Sequence, residues 1–539
     1  KTCCRVAQEF GITVHHPKYK AALAVHIIEE YLRQTSSTFI PRKAFENKCA
    51  KKRIDAEEAL KYAADQELVG YLKNVDGYQL EGQFLLEAMT GLKLRDAFLR
   101  ADGDLSDLAA WETSYINKEI AYHLREFEQT QPFALTDEQR TAVAAACKWK
   151  VISLSGGAGT GKTTILRAVQ HVLDKISLDT PIYQVALSGR AAQRMWEATG
   201  REATTIAKFC IDQKNTSDDR KPDHCICIID EASMVDLFSM HNLLENLPLA
   251  TRFIFVGDVD QLPPVGGGLV FHELMKSDFP SVTLTQVKRQ GELSGIHKFA
   301  TEIRAEHDDI VLLDTIDNPD ADCSLYPSVD AEKIQKLFIE NGGAKRSIIL
   351  TAKNTKKDEK TGVQYLNTVV QKSYGLDRER IKIDTDDVVY DYVNGSGHKF
   401  YLDDQILITK NDYGIGIRNG DLGFIETIYE HSEEGVFGVL NLEGREIDIT
   451  LDVLDKMELG YAITIHKSQG SQWQNVILVL DKDAERMIDK TLLYTGVTRA
   501  ENKLIICCED DQLIEGAIAR GSVAYRRKTN LLEHLNTDY

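Results

Sequence analysis

The run Val151-Ile-Ser-Leu-Ser155, leading into Gly156-Gly157-Ala158-Gly159-Thr160-Gly161-Lys162-Thr163-Thr164, decides the fold. An apolar, β-branched stretch of this length predicts a buried strand, and the glycines that follow predict a tight turn into a helix starting near Ile165. In the Gly-x4-Gly-Lys-Thr spacing, backbone amides from Gly157 to Thr164 wrap phosphate oxygens at a helix N-terminus. Lys162 then reaches the β/γ oxygens of a nucleoside triphosphate, and the Thr163 hydroxyl is placed to ligate Mg²⁺. ATP and Mg²⁺ are therefore the expected cofactors.

Some seventy residues on, Ile226-Cys-Ile-Ile-Asp230-Glu231 puts two acids where another buried strand ends. Asp230 suits Mg²⁺, and Glu231 suits polarising a water for in-line attack. Apolar runs at 151–155, 182–187, 225–229 and 252–256 alternate with helical stretches, which predicts an α/β unit with a parallel sheet over 130–287. A second such unit is split, over 288–399 and 457–539, with strands near 347–351 and 476–480. Between its halves, residues 400–456 carry short alternating runs and Gly-rich turns, the pattern of a small inserted β-barrel. Residues 1–129 read as an N-terminal helical and winged-helix-like region. Stripes at Leu23, Ile27, Ile28, Tyr31, Leu32 and at Ala56, Ala59, Leu60, Ala63 precede a hairpin of 68–72 and 78–80.

Lys and Arg number 64 against 83 Asp and Glu, a net charge of −19 over 539 residues, which argues against a protein that merely coats nucleic acid. A local basic channel on an acidic body remains compatible with that charge. No run approaches the ~18 apolar residues of a membrane span. The ten cysteines include no Cys-x-x-Cys pair, which fits a reducing compartment and no zinc or iron–sulfur centre. His224-Cys225-x-Cys227 reads as buried strand, not as a metal site.

In order and spacing, the motifs resemble superfamily 1 helicases of the RecD-like, 5′→3′ branch, over about 130–510. Leu135-Thr-Asp-Glu-Gln139 resembles the Q motif, whose glutamine reads the adenine edge. Ala186-Leu-Ser188-Gly189-Arg190-Ala-Ala-Gln-Arg194 resembles the Ala-Pro-Thr-Gly-Arg-Ala-Ala segment, with Leu187 and Ser188 replacing Pro and Thr. Ala203-Thr204-Thr205-Ile206 matches another segment, with Ala207 where His is usual. Gly257-Asp258-Val-Asp260-Gln261-Leu-Pro-Pro-Val265 supplies Gln261 as γ-phosphate sensor. Leu284-Thr-Gln-Val-Lys-Arg289-Gln290 and Leu493-Tyr-Thr-Gly-Val-Thr498-Arg499 supply two arginine fingers. Gly460-Tyr-Ala-Ile-Thr-Ile-His466-Lys467-Ser-Gln-Gly470 is the most specific string.

The resemblance implies two RecA-like motor units that close on ATP, with Arg289 and Arg499 completing a site built on Lys162, Asp230 and Glu231. It also implies a single-stranded DNA track using Ser188, Arg190, Thr204, Thr205, Asn411, His466 and Lys467, with Trp473 and Tyr461 as candidate stacking aromatics. Hydroxyls, amides and cations of this kind read phosphates and sugars, not base sequence. The expected partners are single-stranded DNA and a forked or tailed duplex, with a protein partner through the N-terminal region and no membrane; the expected compartment is the bacterial cytoplasm. Residues 211–224 are expected to form a short pin-like insert. The alternative reading is a nucleotide-gated single-strand clamp or sensor within a larger complex, and RNA stays open as substrate.

Overall fold

The computed structural model describes residues 16–99, 113–176, 179–217, 220–286, 294–305, 314–315, 321–354, 361–384, 389–412 and 414–537. Two six-stranded, fully parallel sheets organise the chain. The first runs, edge to edge, Ala203–Thr205, Ile182–Ala186, His224–Asp230, Ala250–Gly257, Val151–Gly156, Ser281–Leu284. Its central strands are buried on both faces, which is why they read as unbroken apolar runs. Cys225 and Cys227 lie buried in one of them.

The second sheet runs Asp314–Thr315, Cys323–Tyr326, Ala500–Cys507, Trp473–Val479, Ser347–Thr351, Ala462–Thr464. It is therefore assembled from both halves of the split unit.

Residues 405–459 form a five-stranded antiparallel sheet, in the order Arg445–Asp448, Val436–Leu442, Leu422–Glu433, Gln405–Ile408, Met457–Leu459. The closed barrel read from the sequence is not what the ladder forms: among the described residues the two terminal strands do not pair. Its apolar residues Ile406, Ile425 and Leu440 instead share one core with Ile349, Ile477 and Ile505 of the parallel sheet. The neighbouring sheet covers what closure would otherwise have buried.

At the N-terminus, helix Pro17–Thr35, strand Ile40–Pro41, helices Arg42–Lys52 and Ala56–Asp65, and the hairpin Val69–Leu72/Gly77–Leu80 surround a core of their own. Asp55 caps the third helix by accepting from the Glu58 amide. Helix Arg42–Lys52 escaped the sequence reading because only Phe45 and Cys49, four residues apart, face inward.

Three boundaries differ from the sequence reading. Helix Thr113–Gln129 packs on helices Asp137–Lys148 and Lys162–Ile176, which line one face of the first sheet, through Ile120, Leu124 and Phe127. Helices Glu81–Leu99 and Leu531–Asn536 cover that sheet's other face through Leu94, Leu531 and Leu535. Amphipathic helices go where an apolar face is bare, whatever their distance in sequence. The pin-like insert is also absent as drawn: Ile211–Asn215 continues a helix that begins at Ile206, capped by Thr205 and anchored by Phe209 and Cys210. Extended arms cannot be built from helical residues.

Glu87, fully buried, ties these pieces together. Its Oε1 accepts from Thr38 Oγ1 (2.7 Å), Thr529 Oγ1 (2.6 Å) and the Asn530 amide (3.1 Å), and its Oε2 from Gln79 Nε2 (2.6 Å). Glu87→Ala strands four donors and should cost about 3 kcal/mol, read as a lower thermal midpoint and faster proteolysis between the N-terminal unit and the rest. Glu87→Gln should cost less than Glu87→Ala, because its amide oxygen keeps the Thr38, Thr529 and Asn530 donors and only the Gln79 contact must rearrange. Equal losses in both variants would show that Glu87 acts through something other than these bonds.

Candidate nucleotide site and the junction between the two parallel sheets

The carboxyl ends of strands Val151–Gly156, His224–Asp230 and Ala250–Gly257 lie side by side, where α/β sheets place ligands. A cleft of about 1020 Å³ opens there. It is lined from the first unit by Gln139, Gly157–Gly159, Gly161–Thr164, Arg194, Asp230, Glu231 and Gln261, and from the second by Gly470, Gln472, Arg499 and Glu501.

The glycine turn is shaped by backbone need. Gly161 has φ +87° and lies against the Gln139 amide, so a side chain is barred on both counts. A Cβ on Gly157 would stand 2.6 Å from Arg304 Nη1 and 2.9 Å from Tyr494 Oη, both of the second unit. Thr160 is fully buried and its Oγ1 donates to the Gly157 carbonyl (2.9 Å). Helix Lys162–Ile176 starts at once, its N-terminal amides facing the cleft. Lys162 Nζ rests on the Gly156 carbonyl (2.6 Å). Gln139 sits in a capping box with Thr136, and its Nε2 donates to the Thr160 carbonyl (2.9 Å). Its amide therefore props the phosphate loop.

Asp230 ends its strand, and its Oδ1 accepts the Glu231 amide (2.8 Å). Burial, and then the neighbouring Glu231 carboxylate, raise the Asp230 carboxyl above the usual range, while Lys162 and Arg194 pull the other way. Glu231 itself has φ +49°, a left-handed conformation costing on the order of 1–3 kcal/mol in a non-glycine residue. Its Oε2 is buried without a partner. Strain and an orphaned acceptor at one carboxylate are the marks of a group held for a ligand.

Arg499 reaches this cleft from the second unit. It is buried, and its guanidinium is held by three oxygens: Thr495 O (3.0 Å), Ser471 O (3.0 Å) and Thr498 Oγ1 (3.2 Å). Burial lowers its pKa, and the Glu231 and Asp258 charges oppose that fall. Arg289 lies outside the described residues. Gln261 donates through Nε2 to Asp258 Oδ2 (3.2 Å), leaving Oε1 without a partner. The same Asp258 Oδ2 receives the Tyr494 hydroxyl across the junction (3.0 Å). Leu262 N to Thr495 Oγ1 (2.9 Å), Gln469 Nε2 to the Leu262 carbonyl (3.1 Å) and Arg304 Nε to Asp260 Oδ2 (2.7 Å) close the rest of the seam. Arg304 and Tyr494 were missed in the sequence: Arg304 ends an amphipathic helix with no motif around it, and Tyr494 lies inside the Leu493–Arg499 string without a role of its own.

The proposed track residues fall into two groups. Asn411, His466 and Lys467 are exposed on the second unit, with Asn411 Oδ1 accepting the Asn419 amide (2.7 Å). Ser188 and Thr205 serve as helix caps, accepting from Ala191 N and Lys208 N, and Thr204 Oγ1 is buried without a partner. Arg190 is engaged already, by Glu443 of the inserted sheet, by Ser471 Oγ (3.1 Å), and by the Trp473 ring at 5.5 Å. Tyr461 is fully buried with its hydroxyl on Asp404 Oδ1 (2.8 Å), so it belongs to the core and stacks on no base.

Residues 134–319 match the AAA domain family, and residues 459–507 the UvrD-like helicase C-terminal domain. The ATP-dependent RecD2 DNA helicase of Deinococcus radiodurans is 30% identical over 377 residues, covering 68% of this chain and 48% of that protein. The RecBCD enzyme subunit RecD of Mycobacterium tuberculosis is 29% identical over 436 residues, covering 72% and 71% respectively. The chain thus spans about half the length of the first of these relatives. A solved Pif1 helicase from Bacteroides, in complex with ADP-AlF3 and single-stranded DNA, aligns at 18% identity over 71% of this chain and 96% of its own, with a TM-score of 0.42. With motifs in family order and both units' residues meeting at one cleft, the chain belongs to the RecD-like branch of the superfamily 1 helicases.

Proposed function

We propose that this chain is an ATP-dependent DNA motor that moves 5′→3′ along single-stranded DNA and separates strands at forked or tailed duplexes, in repair or recombination. The observation that carries the reading is Arg499. A cation of the second unit lines the cleft that holds Lys162, Asp230 and Glu231 of the first. Charge developing on a transferred phosphoryl group is then stabilised only when both units close, which is how an arginine finger couples chemistry to domain movement.

In this scheme Lys162 neutralises the β/γ oxygens and Glu231, with its free Oε2, takes the proton of the attacking water. Gln261 presents a free acceptor oxygen to the same water; a contact from its amide to phosphate requires release from Asp258. Arg289 is the second finger of the proposal. The Thr163 hydroxyl and the Asp230 carboxylate both line the cleft beside the phosphate loop, a donor set that fits Mg²⁺. Bound there, Mg²⁺ would screen phosphate charge.

The strand would run over Ser188, Thr204, Thr205, Asn411, His466 and Lys467, with Arg190 joining once freed from Glu443. No helix among the described residues is long and apolar enough to cross a membrane, and the compartment of the proposal is the bacterial cytoplasm. The N-terminal unit, which has a core of its own apart from the cleft, is the proposed seat of a protein partner.

Two measurements test the reading. ATP turnover should rise on adding single-stranded DNA, and duplexes with a 5′ tail should unwind while 3′-tailed ones do not; unwinding confined to 3′ tails would reverse the polarity. Lys162→Ala should abolish turnover yet bind single strands without nucleotide. Arg499→Ala should retain nucleotide and lose turnover by ~10³ or more, and Glu231→Gln should stall in a DNA-bound state. Near-parent turnover in Arg499→Ala would break the two-unit argument.

A further inference from the structure

The cleft holds a cation that the scheme above does not use. Arg194 lies on helix Gly189–Thr199 and lines the cleft together with Lys162, Asp230, Glu231 and Arg499. Every other cation near it is occupied. Lys162 rests on the Gly156 carbonyl, Arg499 on three oxygens, and Arg190, one turn earlier on the same helix, on Glu443 and Ser471. Among the described residues, no hydrogen bond or ion pair engages the Arg194 guanidinium. Its charged surroundings are Arg499 and Arg190, which repel it, and Glu231 and Glu501, which attract it.

Two guanidiniums converging in a partly desolvated cleft repel unless an anion lies between them. Burial and these like charges together lower the Arg194 pKa, so the arrangement stands at a cost that a bound polyanion would repay. Of the four charged groups around Arg194, Glu231 and Arg499 serve the end of the nucleotide where phosphoryl transfer occurs in the reading proposed above. Arginine suits that position: its planar fork bridges two oxygens of one phosphate, and it is less strongly hydrated than lysine.

Resting on the reading of this cleft as an ATP site, we infer that Arg194 grips the terminal phosphate of the bound nucleoside triphosphate. It forms a third cation beside Lys162 and Arg499, and it is supplied by the same unit as the phosphate loop. The protein therefore distinguishes tri- from diphosphate before the two units close, and it does so through the helix whose first turn carries Ser188 and Arg190.

The test measures affinity of the full chain for a non-hydrolysable ATP analogue and for ADP, each with Mg²⁺, in the parent and in Arg194→Gln, Arg194→Ala and Arg194→Lys. Both neutral variants should lose tenfold or more for the triphosphate analogue and less than threefold for ADP. Arg194→Lys should recover only part of that preference. The two neutral replacements differ in size, so a folding defect in one, seen in its thermal midpoint, leaves the other to decide. An equal loss for both nucleotides overturns the inference, as does unchanged affinity with lower turnover, which would mark Arg194 as a residue that positions Glu231. If the parent binds neither nucleotide better than Lys162→Ala does, the nucleotide site itself is misread and the inference falls with it. If only the Lys162 variant loses binding, the site stands and Arg194 is not part of it.

Discussion

A buried carboxylate holds the two motor units together. Asp258 is wholly removed from solvent, and an ion so placed must be hydrogen-bonded or neutralised. Its Oδ1 takes the Asp260 amide at 3.1 Å, and its Oδ2 takes Gln261 Nε2 and the Tyr494 hydroxyl. Two of these donors belong to the first unit and one to the second. Separating the units would remove a donor from a buried anion and leave a phenol, itself 1% exposed, without its acceptor. Losses of this kind run to about 1–3 kcal/mol per stranded group. Because Gln261 also lines the cleft, whatever occupies the cleft competes for the side chain that helps hold the seam.

The same constraint explains why the cleft is under tension. Asp230 and Glu231 are adjacent acids at the end of a buried strand, and burial together with the Glu231 carboxylate raises the cost of ionising Asp230. The left-handed backbone at Glu231 and its unpaired oxygen add to that cost. Nothing in the packing of strand His224–Asp230 requires it, since the strand's own apolar residues are already buried on both faces. The unfavourable terms are confined to the site, and the rest of the unit, with its capped helices and continuous core, supplies the stability that tolerates them.

How much was legible in the sequence follows from how local each signal is. The phosphate loop, the Asp230-Glu231 strand end and the central parallel strands each reside in under fifteen consecutive residues, and the structure places them together. The arginine at 499 was legible only through motif order, since nothing local separates it from a surface cation. Features set by distant packing were not legible. The inserted sheet stays open because Ile349, Ile477 and Ile505 cover it, and the last helix joins the first unit because Leu531 and Leu535 pack on helices Glu81–Leu99 and Val270–Leu274. Residues 211–215 read as the opening of a pin-like insert because a polar run follows them, yet Phe209 and Cys210 draw the helix through them. Arg190 shows a further limit: its residue type was informative, but its partner, Glu443, lies 253 positions away.

That partner sets where the assembly yields first. The first unit's helix Gly189–Thr199 begins at a point where three pieces meet. Arg418 of the inserted region donates to the Gly189 carbonyl at 3.1 Å and fills the space a side chain at Gly189 would need. Glu443 takes the Arg190 guanidinium, and Ser471 and Trp473 of the second unit complete its surroundings. The Arg190–Glu443 pair is partly exposed, at 18% and 34% for the two side chains, and pairs in such a setting contribute no more than ~1 kcal/mol after screening. The Asp258 network is buried, and breaking it costs several times as much. A movement of the units relative to one another therefore keeps Asp258 as its pivot and gives way at residues 188–190. Release there frees the Arg190 guanidinium, a group suited to phosphate, at the segment proposed above for the path of the strand.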